Sequence, residues 1–245
     1  MASFVLVHGS WHGGWCFDAV KALLEAEGHE VIAPDLPGMG GDEAALRGVT
    51  LQGWAEFVAD LCGAAQQKPV VLAGHSRGGI VISQAAETAA GVIDALVYIC
   101  AMMLPDGMSR ADFKQMEGPN PAFDAIITPV HQGAGTEVDR TRAGAVFAQL
   151  SPPEAVAAAM ARIVAEPHKP RSTPLRLTPE GFGRIPRTYV ECTEDQTIPL
   201  ASQRKMQQLV PGAAVVTLRA DHSPYLSSPQ ALAGALMAAA RSVSR

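Results

Sequence analysis

The sequence predicts an α/β protein with a doubly wound, mostly parallel sheet and a helical insertion. Short apolar runs rich in Val, Ile and Leu recur along the chain. They are mostly continuous, which is typical of strands buried on both faces. Helical patterns lie between several of these runs with short links, so the order of elements predicts βαβ units. A chain of 245 residues has the length of one large domain, with or without an insertion.

Six apolar runs are predicted as strands, and each is followed by a turn or a loop. They span residues 4–7, 30–33, 70–73, 95–100, 188–192 and 214–218. Helices are predicted at 15–27 and 51–65, where apolar residues recur on one face, and at 80–90. Helices that alternate with strands in this way predict a sheet covered on both faces.

The alternation stops between residues 102 and 184. This stretch shows no clear strand and contains several turns with Pro, a Gly-rich turn at 131–135 and an Ala-rich helix predicted at 153–165. Ser151 is expected to be the N-cap of that helix, since Glu154 follows three residues later, close to a capping box. We therefore expect an α/β core formed by residues 1–101 and 185–245, with residues 102–184 as a helical cap.

Composition limits the classes of function. The net charge is −5 and no basic stripe is visible, so binding to nucleic acid or to an anionic membrane is not expected. No apolar run is long enough to span a bilayer, and no signal peptide is expected. The four cysteines form no CxxC pair, which indicates free thiols that are mostly buried. These observations predict a cytoplasmic protein. Its oligomeric state stays open, a homodimer included.

One motif indicates chemistry. Residues 74–78 read Gly-His-Ser-Arg-Gly, which matches G-x-S-x-G between a predicted strand and a predicted helix. In that context the motif is typical of a nucleophilic serine on a sharp bend. Gly74 and Gly78 leave room for the strand and the helix, and the helix N-terminus favours an oxyanion beside Ser76. The alternative is a turn whose serine only caps the helix.

A serine hydroxyl is a weak nucleophile without a base. Among the seven histidines, only His222 follows a late strand, where active groups gather in an open α/β sheet. Asp195 ends the preceding strand and is the candidate for the acid that orients the base. The chain order Ser76, Asp195, His222 is typical of such a triad in this kind of sheet.

Other acidic residues lie near the same loops. Asp106 and Glu194 are weaker candidates for the orienting acid, and Asp195 itself has the alternative role of a helix N-cap. Asp221, directly before the histidine, is expected to hold its loop in place.

Two backbone N–H groups are expected to bind an oxyanion, those of Arg77 and of Ser10 in the Gly-rich loop after the first strand. His8 and His12 have the spacing H-x-x-x-H, but they lie on a loop and lack the Glu of H-E-x-x-H. No metal site is therefore predicted, and His8 is expected to orient the loop. The mechanism that these residues indicate requires no metal and no organic cofactor.

Five stretches together resemble the α/β-hydrolase superfamily. They read FVLVHGSWHGGW at 4–15, APDLPG at 33–38, GHSRGG at 74–79, CTED at 192–195 and ADH at 220–222. They cover nearly the whole predicted core and are most similar to a subgroup of small esterases and hydroxynitrile lyases, which includes plant methylesterases and bacterial carboxylesterases. The resemblance implies a triad of Ser76, Asp195 and His222, an oxyanion hole from Ser10 and Arg77, and a helical cap.

Two positions separate the activities of that subgroup. Its hydroxynitrile lyases have Thr after the first-loop His and Lys directly after the catalytic His, whereas this sequence has Gly9 and Ser223. The resemblance thus implies a serine carboxylesterase for small to medium apolar or aromatic esters. A carbon–carbon lyase and a ligand-binding protein with little turnover are the alternatives. The charged Arg77 is unusual, and its side chain reaches either the pocket or a carboxylate of the cap.

Overall fold

A computed structural model describes residues 1–244. The strands in these residues are β1 Ser3–Val7, β2 Glu30–Ile32, β3 Val70–His75, β4 Ala95–Ile99, β5 Ile127–Val130, β6 Gly135–Val138, β7 Glu166–Pro167, β8 Arg187–Cys192 and β9 Ala214–Leu218. Six of them form one sheet in the order β2–β1–β3–β4–β8–β9, and every pairing in it is parallel. The predicted fold class is confirmed, and all six predicted strands lie in this sheet.

Helices connect most of these strands. In chain order the α-helices are α1 Asp18–Ala26, α2 Glu43–Gly48, α3 Leu51–Ala64, α4 Gly78–Thr88, α5 Arg110–Met116, α6 Pro121–Asp124, α7 Arg140–Phe147, α8 Pro153–Arg162, α9 Lys169–Ser172, α10 Leu200–Leu209, α11 Pro224–Ser227 and α12 Pro229–Val243. Short 3₁₀ helices lie at Gly14–Phe17, His131–Gly133 and Phe182–Arg184. None of the helices within residues 1–244 combines the length and the apolar character that crossing a membrane requires.

The central strands β1, β3 and β4 of the six-stranded sheet are buried on both faces. Alternate residues of a strand point to opposite faces. Phe4 and Leu6 of β1 therefore pack in one core cluster with α1 and α12, while Val5 and Val7 pack in a second cluster with α3 and α4. Burial of both faces explains why these strands are apolar at nearly every position and not only at every second one.

Between β4 and β8 the chain leaves the sheet for residues 102–184, which we call the inserted segment. The expectation that this stretch contains no strand is wrong, because β5, β6 and β7 form a second, antiparallel sheet. These strands are two to four residues long and include Pro129 and Pro167. Short strands with proline lack the apolar run by which a strand is recognised in a sequence.

The helix predicted at 153–165 corresponds to α8 and ends earlier, at Arg162. Its N-cap is Pro152, without a side-chain hydrogen bond, so the predicted capping by Ser151 is wrong. The Ser151 hydroxyl donates instead to Asp221 Oδ2, at 3.1 Å. A carboxylate brought close by the tertiary fold has replaced the local backbone as the partner of this hydroxyl.

Candidate active site

Ser76 lies on a strained bend between β3 and α4. Its φ is +53°, in the left-handed region that few residues other than glycine adopt. Its N–H donates to Ile99 O at 3.2 Å, and its carbonyl oxygen accepts from Met102 N at 2.9 Å. Two contacts with the chain at the end of the neighbouring strand β4 therefore hold the bend.

The glycines of the motif are required by close backbone contacts. A Cβ at Gly74 would lie 2.7 Å from Gly78 O, and a Cβ at Gly78 would lie 2.6 Å from Val7 O. Backbone oxygens cannot move aside without displacing β1 or α4. The expectation that Gly74 and Gly78 make room for the bend therefore has a steric basis.

The structure brings the three candidate triad side chains into one hydrogen-bonded row. His222 Nε2 lies 3.0 Å from Ser76 Oγ, and His222 Nδ1 lies 2.7 Å from Asp195 Oδ2. All three residues are buried. A ring that carries its proton on Nδ1, directed at the carboxylate, offers Nε2 as an acceptor for the serine hydroxyl. This tautomer is the one that general-base catalysis requires.

Asp195 is held by the loop between β8 and α10. Its Oδ1 accepts from the N–H groups of Thr197 and Ile198, at 2.7 and 2.8 Å, which leaves Oδ2 for the histidine. The buried Gln203 of α10 binds the same loop, since its amide donates to Ile198 O at 2.8 Å and to Cys192 O at 3.0 Å. The loop is therefore fixed from two sides.

The other carboxylates take different places. Asp106 accepts a hydrogen bond from a backbone N–H of the inserted segment, and Glu194 is exposed. Asp221 accepts from Leu150 N at 2.8 Å and from Ser223 N at 3.0 Å. Asp221 therefore ties the loop of the candidate base to the inserted segment, which agrees with its expected role in holding the loop.

Two buried side chains fix the backbone of His222. His75 Nε2 donates to His222 O at 2.7 Å, and the thiol of Cys100 donates to the same oxygen at 3.6 Å. Burial, followed by the charge of His222, lowers the pKa of His75 well below its usual value, so the ring of His75 stays neutral. A neutral neighbour adds no positive charge beside the candidate base.

Ser10 and Arg77 carry the two N–H groups expected to bind an oxyanion. Both residues line one cavity with Ser76, and within residues 1–244 neither N–H donates a hydrogen bond. The Ser10 N–H belongs to the same planar trans peptide as Gly9 O, so the two groups point in opposite directions. Gly9 O lies 3.1 Å from Arg77 Nη2 and 2.8 Å from His8 Nδ1, and these contacts set the direction of the Ser10 N–H.

His8 and His12 hold the loop after β1. His8 Nε2 accepts from Leu36 N at 3.0 Å, and His12 Nδ1 donates to Ser10 O at 2.7 Å. Burial lowers the pKa of His8 to about 3 and that of His12 to about 4, so both rings are neutral near pH 7. These contacts agree with the expectation that His8 orients the loop.

Three side chains that can ligate a metal ion lie together beside Ser76. His75, Cys100 and His222 bring their ligating atoms within 4.8 Å of one another. Both ring nitrogens of His222 are engaged, with Asp195 and Ser76. Burial also raises the pKa of the Cys100 thiol well above its usual value, which opposes the thiolate that binds metals. The residues of this group therefore fit their hydrogen bonds better than a metal site.

The side chain of Arg77 pairs with a carboxylate of the inserted segment. Its Nε lies 3.0 Å from Glu166 Oε2 of β7, and only 4% and 2% of the two side-chain surfaces are exposed. The guanidinium also lies over the ring of Trp54, 4.3 Å from its centre. Burial lowers the pKa of Arg77, and the charge of Glu166 opposes this shift. Arg77 therefore connects the bend at Ser76, the loop after β1 and the inserted segment.

A cavity lies beside Ser76 and contains about 440 Å³ of empty space, part of it open to solvent. Core and inserted segment both contribute to its walls. The apolar lining residues are Trp11, Met102, Phe123 and Ile198. The polar and charged lining residues are Ser10, Ser76, Arg77, Arg110, Glu166, Arg171 and Thr197.

Sequence reasoning missed several residues of this site, among them three charged residues of the cavity wall and one buried glutamine. Arg110, Glu166 and Arg171 lie in the inserted segment, where no motif marks them, and Gln203 lies on α10 behind Asp195. For the three charged residues, the only signal in the sequence was their charge within a stretch expected to cover Ser76. A polar residue on the buried face of an amphipathic helix was the signal for Gln203.

A doubly wound parallel sheet with serine, histidine and carboxylate at its carboxyl edge defines an α/β enzyme with a serine-centred site. The chain belongs to the alpha/beta hydrolase family, whose model matches residues 4–235. The superfamily implied by the sequence motifs is thereby confirmed.

Known relatives indicate which kind of hydrolase this chain resembles. A pyrethroid hydrolase of Sphingobium wenxiniae is 36% identical over 96% of this chain and 86% of that protein. Putative methylesterase 11 of Arabidopsis thaliana, a chloroplastic protein, is 34% identical over 97% of this chain, which spans 64% of that longer protein. The crystal structure of a pyrethroid hydrolase from Sphingobium faniae JZ-2 matches with a TM-score of 0.88 at 35% identity, over 98% of this chain and 97% of that chain. These relatives confirm the expected class of enzyme, a hydrolase that acts on ester bonds.

Proposed function

We propose that the protein is a serine carboxylesterase that hydrolyses small to medium esters with apolar or aromatic groups. The observation that carries the proposal is the row from Ser76 Oγ to His222 Nε2, at 3.0 Å, and from His222 Nδ1 to Asp195 Oδ2, at 2.7 Å. Both distances allow a proton to be transferred or held along the row. The relatives named pyrethroid hydrolase and methylesterase support ester hydrolysis as the reaction.

In the first half of the reaction, Ser76 Oγ attacks the ester carbonyl while His222 Nε2 takes the hydroxyl proton. The N–H groups of Ser10 and Arg77 bind the oxyanion of the tetrahedral intermediate. Asp195 holds the ring in the required tautomer and stabilises the imidazolium. His222 then protonates the leaving alcohol, and the acyl group remains on Ser76.

In the second half, water replaces the alcohol. His222 removes a proton from the water as its oxygen attacks the acyl-enzyme, and the same two N–H groups bind the second oxyanion. Collapse of this intermediate releases the carboxylic acid, and His222 returns the proton to Ser76 Oγ. The cycle consumes only ester and water, so a metal ion or an organic cofactor has no step to perform.

We assign residues 102–184 the role of a cap over a catalytic core of residues 1–101 and 185–245. Support comes from the cavity, whose walls combine Ser10 and Ser76 with Phe123 and Glu166 of the inserted segment. The apolar wall suits an alkyl or aryl group next to the scissile bond. Because a relative is named a pyrethroid hydrolase, a pyrethroid is a reasonable probe of the upper size limit.

Lyase chemistry on a cyanohydrin is less favoured. A Cβ at Gly9 would lie 2.8 Å from Ser76 Cβ, so a threonine at this position would need the loop after β1 to move. Ser223, at the position of the lyase lysine, carries no charge to hold cyanide. A ligand-binding protein without turnover is also less favoured, because the hydrogen bond from Ser76 to its base is already formed.

The test begins with the intact mass of the wild type and of Ser76→Ala after incubation with a fluorophosphonate. We expect one adduct on the wild type and none on the variant. Hydrolysis of 4-nitrophenyl esters of increasing chain length then measures the size of the pocket. Ser76→Ala should lower kcat by about 10⁶-fold, as in other triads. Full activity in Ser76→Ala would contradict the mechanism, and absence of both adduct and turnover in the wild type would favour the binding protein.

A further inference from the structure

Three arginines line the cavity beside Ser76: Arg77, Arg110 and Arg171. Two of them have carboxylate partners, since Arg77 Nε lies 3.0 Å from Glu166 and Arg110 Nη1 lies 2.9 Å from Glu117. The side chains in both pairs are almost completely buried. Each carboxylate is therefore engaged with one arginine, and the third arginine has no such partner.

Arg171, on α9, carries the unbalanced charge. It is half-buried, and within residues 1–244 it forms no ion pair. Burial lowers the pKa values of Arg77 and Arg110, and the charge of Arg171 lowers both further, so Arg171 acts on both guanidinium groups. The three arginines together with Glu166 and Glu117 consequently carry one more positive charge than negative charge.

One hydrogen-bond donor in the same wall lacks an acceptor. Arg77 Nη1 is buried and directs no hydrogen bond to an acceptor within the described part of the chain, whereas Arg110 Nη1 faces Glu117. Buried donors in native proteins are generally paired, with protein, water or a ligand. A ligand with an acceptor oxygen and a negative charge would satisfy both this donor and the unpaired charge of Arg171.

We propose that this wall binds a carboxylate carried by the substrate, so that the natural substrate is an anionic ester, such as the monoester of a dicarboxylic acid. A guanidinium matches the geometry of a carboxylate and remains charged at all relevant pH values. Trp11, Met102 and Phe123 line the same cavity and suit the apolar chain between the ester and the carboxylate. The inference rests on the proposed esterase function and specifies its substrate class.

The test compares two esters that differ only at the far end of the acyl chain. These are 4-nitrophenyl hexanoate, which is neutral, and mono-4-nitrophenyl adipate, which ends in a carboxylate. A second pair, phenyl butanoate and 4-carboxyphenyl butanoate, places the carboxylate on the alcohol side. The measured quantity is the ratio of kcat/KM for the anionic ester to kcat/KM for its neutral partner. It is compared between proteins, so differences in leaving group cancel.

Three variants complete the design. Arg171→Gln removes the unpaired charge, and Arg171→Lys keeps the charge without the planar fork. Lys169→Gln is the matched control, because this exposed lysine lies on the same short helix and outside the cavity lining. For at least one ester pair, Arg171→Gln should lower the ratio by about tenfold, the usual effect of losing a hydrogen bond to a charged group. Lys169→Gln should leave the ratio within about twofold of the wild type, and Arg171→Lys should give an intermediate value.

The outcomes separate the subsite from the reaction. If the neutral esters are hydrolysed and Arg171→Gln leaves both ratios unchanged, the carboxylate subsite is wrong and the esterase stands. If Lys169→Gln lowers the ratio as much as Arg171→Gln, the effect is general electrostatic attraction, and the subsite is again wrong. If the wild type hydrolyses none of the four esters and forms no fluorophosphonate adduct, the proposed function fails, and this inference fails with it.

Discussion

Arg77 Nε and Glu166 Oε2 lie 3.0 Å apart in a buried ion pair that joins the residue after Ser76 to the inserted segment. The same guanidinium donates to Gly9 O at 3.1 Å. The Arg77 side chain thus joins the bend at Ser76 to the loop after β1 and to the inserted segment. Its loss should affect both stability and catalysis, and the two effects can be separated.

The stability effect follows from burial of the pair. Arg77→Leu leaves the Glu166 carboxylate buried without its partner, and we expect a loss of about 3–5 kcal/mol in the free energy of unfolding. The double variant Arg77→Leu/Glu166→Leu removes both charges, so it should recover a large part of this loss. Urea unfolding of the two single variants and the double variant measures the coupling. Strictly additive losses would show that the two side chains do not interact.

The catalytic effect follows from the peptide that Gly9 and Ser10 share. Without the hydrogen bond from Arg77, the Ser10 N–H is less well oriented, and we expect Arg77→Leu to lower the acylation rate by about 10-fold or more with a smaller change in KM. The burst of 4-nitrophenol measures this rate. Glu166→Gln is the control, because it removes the ion pair and keeps the contact of Arg77 with Gly9. An equal loss in Glu166→Gln would assign the effect to the ion pair.

Asp195 should matter to catalysis more than to folding. In Asp195→Asn the side-chain amide favours the wrong tautomer of His222, and we expect kcat to fall by about 10⁴-fold. The exposed neighbour Glu194 provides the matched control, and Glu194→Gln should keep wild-type kcat. Steady-state kinetics with circular dichroism of each variant checks both statements. A normal kcat in Asp195→Asn would show that another group orients the base.

The bend at Ser76 should not tolerate a methyl group at Gly78. The added Cβ would lie 2.6 Å from Val7 O, so we expect Gly78→Ala to cost about 3 kcal/mol in the free energy of unfolding. It should also lower kcat by about 10²-fold through displacement of the serine. Gly63→Ala is the control, since no atom apart from its chain neighbours and its own helix backbone lies within 4 Å of the added Cβ, and α3 would gain about 0.5 kcal/mol. Equal stability of the two variants would contradict the steric argument.

Three buried histidines predict how stability depends on pH. The pKa of His8 is lowered to about 3, that of His12 to about 4, and that of His75 well below the usual 6.5. Below pH 6.5 the unfolded chain therefore binds protons that the folded chain does not. The free energy of unfolding should decrease from about pH 6.5 downwards, by about 1.4 kcal/mol per pH unit for each such histidine.

Urea unfolding between pH 7 and pH 5.5 measures this slope. His12→Gln removes one of the three groups, so its slope should be shallower by one proton. The exposed His168 is the control, and His168→Gln should follow the wild type. Stability that stays constant or rises as the pH falls through this window would contradict the burial of neutral imidazoles.

Much of the fold and the centre of the site were predictable from the sequence because their causes are local. A strand covered on both faces must be apolar along its whole length, so β1, β3 and β4 are visible as apolar runs. A serine on a sharp bend must have small neighbours, so Gly74 and Gly78 mark Ser76. Asp195 and His222 follow late strands, and the carboxyl ends of parallel strands meet at one edge of the sheet.

Only the tertiary structure decided the contacts between residues that are distant in the chain, because such residues have no sequence pattern of their own. From the sequence, the side chain of Arg77 was expected to reach either the pocket or a carboxylate. In the fold it pairs with Glu166, which no motif marks. Ser151 has the residue type of an N-cap, yet its hydroxyl donates a hydrogen bond to Asp221. The short strands β5, β6 and β7 also depend on one another for their hydrogen bonds. The sequence by itself thus determined the sheet and the position of Ser76, because burial and steric fit act on neighbouring residues. The fold decided the charged wall, because a buried charge pairs with whichever opposite charge packing brings within reach.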